Sequence, residues 1–287
     1  MDFEVRGRSA RAGGRKRVIP IAFEKVTFKY EENPVITSLS LQIPEGVTSL
    51  TGPNGAGKST FLLLASGRIL PETGSVSLCG RDTKLLETNE RERLCSLVFQ
   101  NMEFETEEQL GSLLDFVCEH GFLGAQALTL QKEVIQTFGL SRLLSRRTQT
   151  LSKGEMQRAV MAFSLLYGSR LIAMDEPVFA LEQHQKKNAL GFLCEYSRSS
   201  GISVVYSAHE LDLTRSYSDQ VLLFFKEGSV MLGSAEELLR PPILEAAYHY
   251  PYALLHQKEE LHRDSLVRIP TEREVWEKNQ NKKNEEP

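Results

Sequence analysis

The stretch Gly52-Pro53-Asn54-Gly55-Ala56-Gly57-Lys58-Ser59-Thr60 decides the fold. It fits the pattern G-x-x-x-x-G-K-[ST], in which glycines let backbone N–H groups curl around phosphate oxygens. A β-prone segment precedes it at 47–51, and a good helix start follows at 61–65. This strand–loop–helix context predicts a phosphate site at the positive end of a helix. We expect Lys58 to reach the β- and γ-phosphates of a nucleotide and the Ser59 hydroxyl to ligate Mg²⁺.

Composition limits the class of protein. Of the 287 residues, 41% are hydrophobic and 25% are charged, which is typical of soluble globular proteins. The net charge of −4 gives no reason to expect nucleic-acid binding. The four cysteines show no C-x-x-C spacing, so we interpret them as buried free thiols in a reducing compartment. No run approaches the roughly 18 apolar residues of a membrane span, so we expect a cytoplasmic location unless another chain provides membrane attachment.

The two ends of the chain differ from its middle. Residues 1–17 contain six basic and two acidic side chains, a net charge of +4. We interpret residues 1–20 as a basic, disordered tail, with attraction to anionic lipid headgroups as the alternative. Residues 251–287 are predicted to form a charged extension, since seven basic and eight acidic residues follow Gln257. That near balance of charge indicates a solvated appendage.

Hydrophobic periodicity changes twice along the chain. Short β-prone segments separated by turns occupy 21–80, and helical spacing of apolar residues dominates 101–150. Beyond that, strand-like runs at 171–174 and 202–206 alternate with helical segments. Such alternation predicts parallel strands covered by helices, an α/β fold.

Two acids, Asp175 and Glu176, follow the apolar run at 171–174. An acid at the carboxyl end of a strand beside a phosphate loop can orient hydrated Mg²⁺, so we assign Asp175 to the metal. Glu176 leaves the strand end in the other direction, and we assign it as the general base that polarises water against the γ-phosphate. The alternative is an acid pair that caps the turn at Pro177.

The segment Leu151-Ser152-Lys153-Gly154-Glu155 opens a strongly helical stretch. Ser152 is a natural N-cap, and Glu155 stands three residues later, where a capping box requires it. That structural role is a sufficient explanation of the segment. The functional interpretation is a second helix N-terminus that offers a hydroxyl and Gly154 to a phosphate.

Taken in order, these motifs resemble the ATP-binding cassette (ABC) ATPases, the nucleotide-binding subunits of ABC transporters. The order is phosphate loop, Gln100 after a strand, the segment 151–155, the acid pair at 175–176, and His209 after a strand. The resemblance covers roughly 21–235. It implies a P-loop NTPase fold of ABC type, with a mostly parallel sheet core, an antiparallel β subdomain and a helical subdomain. The implied domain spans 21–250, with the helical subdomain at about 101–150.

The resemblance also implies ATP and Mg²⁺ as cofactors and roles for single residues. Tyr30 would stack on the adenine. Gln100 would touch Mg²⁺ and the attacking water, while His209 would bond the γ-phosphate and position Glu176. The implied catalytic set is Lys58, Gln100, Glu176 and His209, and the implied metal set is Ser59, Gln100 and Asp175. The implied nucleotide contacts are Tyr30, Gly52, Pro53, Asn54, Gly55, Ala56, Gly57, Lys58, Ser59, Thr60, Ser152 and Gly154.

The family's logic implies partners. Each ATP would lie between the phosphate loop of one chain and the helix start bearing Ser152 and Gly154 of another, in a homodimer or a pair of related ATPases. Integral membrane permease subunits would dock on the helical insert and hold the chain at the inner face of the cell membrane. Import is favoured, since 233–239 and 244–248 look similar to ATPases of iron-chelate and cobalamin uptake. The alternative is a soluble ABC ATPase in assembly or ribosome-associated work.

Two positions depart from the family pattern. Lys153 stands where the family commonly has glycine, and Glu182 stands where it commonly has aspartate. We expect activity to survive both changes. A cassette that binds ATP without hydrolysing it is disfavoured, since the acid pair at 175–176, Lys58 and His209 are all present.

Overall fold

The computed structural model describes residues 19–100, 102 and 106–255. The predicted charged extension beyond Leu255 and nearly all of the predicted basic tail lie outside these residues. The strands run in chain order as β1 (Ile21–Tyr30), β2 (Asn33–Ile43), β3 (Val47–Thr51), β4 (Thr73–Leu78), β5 (Arg81–Asp82), β6 (Cys95–Val98), β7 (Leu171–Met174), β8 (Ser203–Ser207), β9 (Gln220–Phe224) and β10 (Val230–Gly233).

Helices cover and connect these strands. In chain order they are α1 (Lys58–Ala65), α2 (Thr88–Leu94), α3 (Leu110–His120), α4 (Ala127–Thr137), α5 (Lys153–Tyr167), α6 (Gln183–Ser200), α7 (Leu211–Ser216), α8 (Ala235–Leu238) and α9 (Pro241–Tyr248). Both α3 and α4 fall within 101–150, where helical spacing predicts them.

The strands form two sheets with different pairing. One is antiparallel, in the order β2-β1-β4-β5. The other has the order β10-β9-β3-β8-β7-β6, and all of its pairs are parallel except β10 with β9. Every residue of β3, β7 and β8 is buried, as expected for parallel strands covered on both faces. The predicted α/β architecture, with a mostly parallel core and an antiparallel sheet beside it, is confirmed.

Helix α1 joins the two sheets through stacked aromatic rings. The ring of Phe61 on α1 lies 4.6 Å from that of Phe23 on β1, nearly parallel to it. It also meets Phe224 of β9 edge-on at 5.9 Å. All three side chains are almost fully buried. Aromatic pairs of this kind add to the burial of their own surface, so they hold the helix that begins at Lys58 in a fixed position.

The cysteine prediction is correct for three residues and wrong for one. All four thiols are free, and Cys95, Cys118 and Cys194 are buried, but Cys79 is only half-buried. Cys79 directly follows β4, where the strand leaves the core. Burial raises the pKa of Cys95 to about 12 and that of Cys194 to about 11, so both remain protonated thiols at neutral pH.

Among the described helices, none has the length and hydropathy needed to cross a bilayer.

Candidate functional site

The phosphate loop connects β3, in the middle of the parallel sheet, to α1. Gly52 has a φ of +140°, and a Cβ there would lie 2.4 Å from the carbonyl oxygen of Phe224. Gly57 is the N-cap of α1 in the left-handed region, where a Cβ would meet Val35 Cγ1 of β2 at 3.0 Å. The neighbouring strands therefore crowd the loop, and these two positions require glycine.

Replacing Gly52 with alanine is expected to lower the free energy of unfolding by about 3 kcal/mol or more, because the added methyl group meets fixed backbone. Gly55→Ala is the matched control. Gly55 also has a positive φ, of +77°, but nothing lies within 4 Å of its Cβ position. The control should lose only about 1–2 kcal/mol, the cost of left-handed backbone. Urea denaturation measures both, and equal losses would contradict the contact with Phe224.

The start of α1 is suited to an anion. Gly57 supplies no side chain to cap the helix, so within the described residues no N-cap side chain accepts from the first-turn N–H groups of Lys58, Ser59 and Thr60. Such N–H groups and the helix dipole favour negative charge at that point. The Lys58 ammonium bends back and donates to the carbonyl oxygens of Gly52 at 2.8 Å and Pro53 at 3.0 Å. A phosphate bound in the loop would lie beside this charge.

Burial and two nearby carboxylates act in opposite directions on the pKa of Lys58. Burial lowers the pKa of its ammonium, while the carboxylates of Glu176 and Asp175 act in the opposite direction. The net direction is downward, so the ammonium is short of stabilising negative charge. A phosphate would supply that charge, and binding an anion and keeping Lys58 protonated favour each other.

Three predicted residues meet at one edge of the parallel sheet. Each lies two residues beyond the end of a strand: Gln100 after β6, Glu176 after β7 and His209 after β8. These three strands are neighbours in the sheet. Gln100 Nε2 donates to Glu176 Oε2 at 2.7 Å. His209 Nε2 lies 2.5 Å from Glu176 Oε1. Both carboxylate oxygens of Glu176 are therefore held, one from each side, at the carboxyl ends of the strands.

A buried serine joins the two acids, and sequence reasoning missed it. Ser207, the last residue of β8, donates from Oγ to Asp175 Oδ1 at 2.6 Å and accepts the Glu176 N–H at 2.8 Å. The register of β7 and β8 places it there, because Met174 pairs with Tyr206. The sequence shows Ser207 only as a hydroxyl at the end of an apolar strand. Its role cannot be inferred until the neighbouring strand is known.

Loss of the Ser207 hydroxyl is expected to cost about 1.5–3 kcal/mol of unfolding free energy, the range for hydrogen bonds to charged groups. Ser49→Ala is the matched control, because Ser49 is equally buried on β3 and donates only to the neutral Ser218 hydroxyl at 3.1 Å. The control should lose about 1 kcal/mol. Denaturant titration of Ser207→Ala and Ser49→Ala compares them, and a smaller loss for Ser207→Ala would be inconsistent with a bond to a carboxylate.

The start of α5 confirms the predicted capping box. Ser152 Oγ accepts the Glu155 N–H at 3.3 Å, and Glu155 Oε2 accepts the Ser152 N–H at 2.7 Å. Arg146 Nη1 adds an ion pair to Glu155 at 3.1 Å. Burial acts to raise the pKa of Glu155, but the bonds from Ser152 and the charge of Arg146 outweigh it and hold the pKa below its usual value. Among the hydrogen bonds of the described residues, none joins Ser152 or Gly154 to the phosphate loop.

The remaining predicted residues occupy compatible positions. Tyr30 ends β1 with its ring perpendicular to that of Phe28 at 4.9 Å. Its side chain is about half exposed, so part of its surface is accessible to a flat ligand. The predicted metal set of Ser59, Gln100 and Asp175 supplies hydroxyl, amide and carboxylate oxygens, the donors that Mg²⁺ prefers together with phosphate and water. Asp175 gives Oδ1 to Ser207 and has a second oxygen for a metal or its water. The residue types therefore fit Mg²⁺.

A second cluster missed from the sequence stands beside His209. Lys186 on α6 is almost fully buried and forms an ion pair with Glu210, the residue after His209. Gln183 Nε2 donates to the other oxygen of Glu210 at 2.9 Å. Glu182, the departure from aspartate, caps α6 through reciprocal bonds with Gln185. Lys186 is the fourth residue of a polar helix, where a lysine is expected to be exposed to solvent. The sequence therefore gave no indication that it pairs with Glu210.

Comparisons with known proteins show which family the chain resembles. The family model described as "ABC transporter" matches residues 36–179, which contain the phosphate loop, Gln100 and Glu176. A putative ABC transporter ATP-binding protein of Pyrococcus furiosus is 32% identical over 212 residues, covering 71% of this chain and 79% of that protein. The Fe(3+) ions import ATP-binding protein FbpC of Brucella abortus is 29% identical over 224 residues, covering 77% of this chain. The chain spans 63% of the length of that relative.

Solved structures match in fold. CbiO1 of Clostridium perfringens, part of the ABC transporter complex cbiONQ, superposes with a TM-score of 0.66 and 21% identity, over 84% of this chain and 99% of that one. A dimeric ATP-binding cassette in a post-hydrolysis state with ADP and Pi superposes with a TM-score of 0.64 and 23% identity. The match covers 75% of this chain and 98% of that one. The phosphate loop, the ordered motifs and these matches lead to one conclusion: the chain belongs to the ABC transporter family and carries its ATP-binding domain.

Proposed function

We propose that this chain is the ATP-hydrolysing subunit of an ABC transporter, which couples ATP binding and hydrolysis to solute transport by separate membrane subunits. One observation carries the proposal: Gln100 and His209 hold the two carboxylate oxygens of Glu176 at the sheet edge next to the phosphate loop. A base held in this way has a defined direction before any water arrives, which is what a general base requires.

The loop supplies binding and charge neutralisation. The N–H groups at the start of α1 and the Lys58 ammonium would hold the β- and γ-phosphates, with Lys58 leaving the carbonyls of Gly52 and Pro53 for the nucleotide. Mg²⁺, when bound, would neutralise phosphate charge, and Ser59, Gln100 and Asp175 would hold it with its waters. Tyr30 would stack on the adenine.

The chemical step belongs to Glu176. Its carboxylate would take a proton from the attacking water while the water oxygen bonds to the γ-phosphorus and the bond to ADP breaks. His209 would bond the γ-phosphate and, with Gln100, keep the carboxylate aimed at the water. Because phosphoryl transfer depends mainly on positioning and charge neutralisation, these contacts account for most of the expected rate gain.

We infer that a single chain does not complete the site. We infer that Ser152 and Gly154 of a second copy, or of a related ATPase, complete it, since in this chain they lie at a helix start that no hydrogen bond connects to its own loop within the described residues. The N-terminus of α5 favours an anion. ATP would then hold the two chains together, and hydrolysis would release them.

Import is the direction that we propose, with integral membrane permease subunits as partners at the inner face of the cell membrane. The support is the naming of two relatives as import proteins, FbpC of Brucella abortus for Fe(3+) ions and ModC of Brucella suis for molybdenum. The ModC relative is 30% identical over 207 residues, and the chain covers 56% of its length. The similarity of 233–239 and 244–248 to ATPases of iron-chelate and cobalamin uptake fits the same direction.

Affinity purification of the full chain from solubilised membranes tests the transport role. The expected result is co-purification of an integral membrane protein in a fixed ratio, and ATP hydrolysis that persists in the complex. The matched control is the same purification from the soluble fraction. Recovery with soluble partners alone would contradict transport and favour the soluble ABC ATPase.

A further inference from the structure

Gln157 is a polar side chain in the interior of α5, one turn after Gly154. Its exposure is 9%, and both ends of its amide are used. Nε2 donates to the backbone carbonyl of Glu176 at 2.7 Å, and Oε1 accepts the Ala180 N–H at 2.8 Å. One side chain thus closes the turn that begins at the proposed base.

That turn starts in a strained conformation. Glu176 has a φ of +49°, in the left-handed region that residues other than glycine rarely adopt. Such a conformation persists only where the surroundings determine it. Two side chains do so from opposite ends of the residue, since the Ser207 hydroxyl accepts its N–H and the Gln157 amide donates to its carbonyl. Losing either contact would leave one peptide plane next to Glu176 unrestrained, and the orientation of the Glu176 carboxylate would then no longer be fixed.

The same face of α5 meets the turn a second time. A Cβ on Gly154 would lie 2.8 Å from the carbonyl oxygen of Ala180, so helix backbone packs directly on turn backbone. Gly154 and Gln157 are three residues apart and therefore share a helix face. The start of α5 and the 176–180 turn are joined at two points.

We propose that Gln157 is a positioning residue for Glu176, which ties the direction of the base to the helix start bearing Ser152 and Gly154. The proposal rests on the proposed function, in which that helix start meets the nucleotide of a second chain. Glu176 serves the nucleotide of its own chain. Gln157 therefore connects the helix start that would meet one nucleotide to the base that would serve the other.

The competing explanation is that Gln157 is a satisfied buried amide that only stabilises the fold. Gln131 on α4 separates the two explanations. It has the same exposure, 9%, and donates from Nε2 to Asp115 Oδ1 at 2.7 Å within the helical region. Gln131→Met and Gln157→Met remove an amide of equal burial and replace it with a side chain of similar length. Their thermal midpoints should fall by similar amounts.

The test measures kcat and KM for ATP with full-length wild-type protein and the two variants. Gln157→Met is expected to lower kcat about tenfold, the effect of one to two lost hydrogen bonds on the transition state, with KM for ATP within about twofold. Gln131→Met should keep both values. An unchanged kcat in Gln157→Met, an equal loss in Gln131→Met, or a rise confined to KM would overturn the positioning role.

A second measurement does not depend on activity. Hydrogen exchange at the Ala180 amide should become at least about tenfold faster in Gln157→Met and remain unchanged in Gln131→Met, because Gln157 Oε1 is its acceptor. Unchanged exchange would overturn the contact. If the wild type hydrolysed no ATP while exchange responded as expected, the proposed function would fail and the structural link would stand.

Gln157→Glu separates the two bonds and covers the case in which the methionine variant does not fold. Its carboxylate can still accept the Ala180 N–H but has no N–H for the Glu176 carbonyl. Slow exchange at Ala180 with a lowered kcat is expected. Wild-type kcat in Gln157→Glu would show that the bond to Glu176 has no role in positioning the base.

Discussion

Glu176→Gln is expected to abolish ATP turnover while ATP binding survives. The amide cannot take a proton from water, and loss of a positioned general base costs about 10²–10⁴-fold in rate. Binding is retained because the loop and Lys58 are untouched, and the new amide oxygen can still accept the bond from Gln100 Nε2. Phosphate release and equilibrium ATP titration measure the two quantities separately.

Glu195→Gln is the matched control, because it makes the same chemical change on the exposed face of α6. It should hydrolyse ATP at the wild-type rate. Turnover that persists in Glu176→Gln would make the base assignment wrong. The same variant tests the two-chain site, since it should form dimers in excess MgATP. If it stayed monomeric even with its membrane partner present, the shared site would be excluded.

Lys58→Met is expected to weaken both ATP binding and hydrolysis, with hydrolysis reduced by about 10²–10³-fold, the cost of losing one preorganised charge contact to a transition state. Methionine has a similar length but no charge. Burial lowers the pKa of Lys58, so folding already opposes its charge and the variant should not lose much stability. ATP titration and hydrolysis rates are the measurements.

Lys187→Met, on the exposed side of α6, is the control for Lys58→Met and should leave both quantities unchanged. If Lys58→Met bound ATP as tightly as the wild type, the ammonium would act only as a brace for the carbonyls of Gly52 and Pro53. In that case the loop would bind phosphate through its N–H groups alone.

Short-range features could be predicted well. The strand, glycine loop and helix around Lys58 are encoded within about twenty consecutive residues, because glycine conformation and helix N-terminal geometry are local. The capping box at Ser152 and Glu155 is local as well, and the structure has it as expected. The burial of Cys79 could not be predicted in this way. Its half-buried position depends on where β4 leaves the sheet rather than on its neighbours in sequence.

The site required contacts between distant segments. Gln100 and His209 were chosen from a family resemblance and Glu176 from its place after an apolar run, and the residue types alone do not bring the three together. Their meeting depends on the order β8-β7-β6 and on parallel register, which are long-range properties. Ser207 and Gln157 were missed because their partners are distant in the chain. The partners of Ser207 lie 31 and 32 residues away, and those of Gln157 lie 19 and 23 residues away.

The amino-acid sequence by itself determined the phosphate loop, the capped start of α5, and the alternation of strands and helices, since each depends on dihedral preferences and periodicity over a few turns of chain. Only the tertiary structure decided which side chains hold Glu176 and its strained backbone. Strand register and helix packing arise from burial of surfaces that are far apart in the chain, and no local preference specifies them.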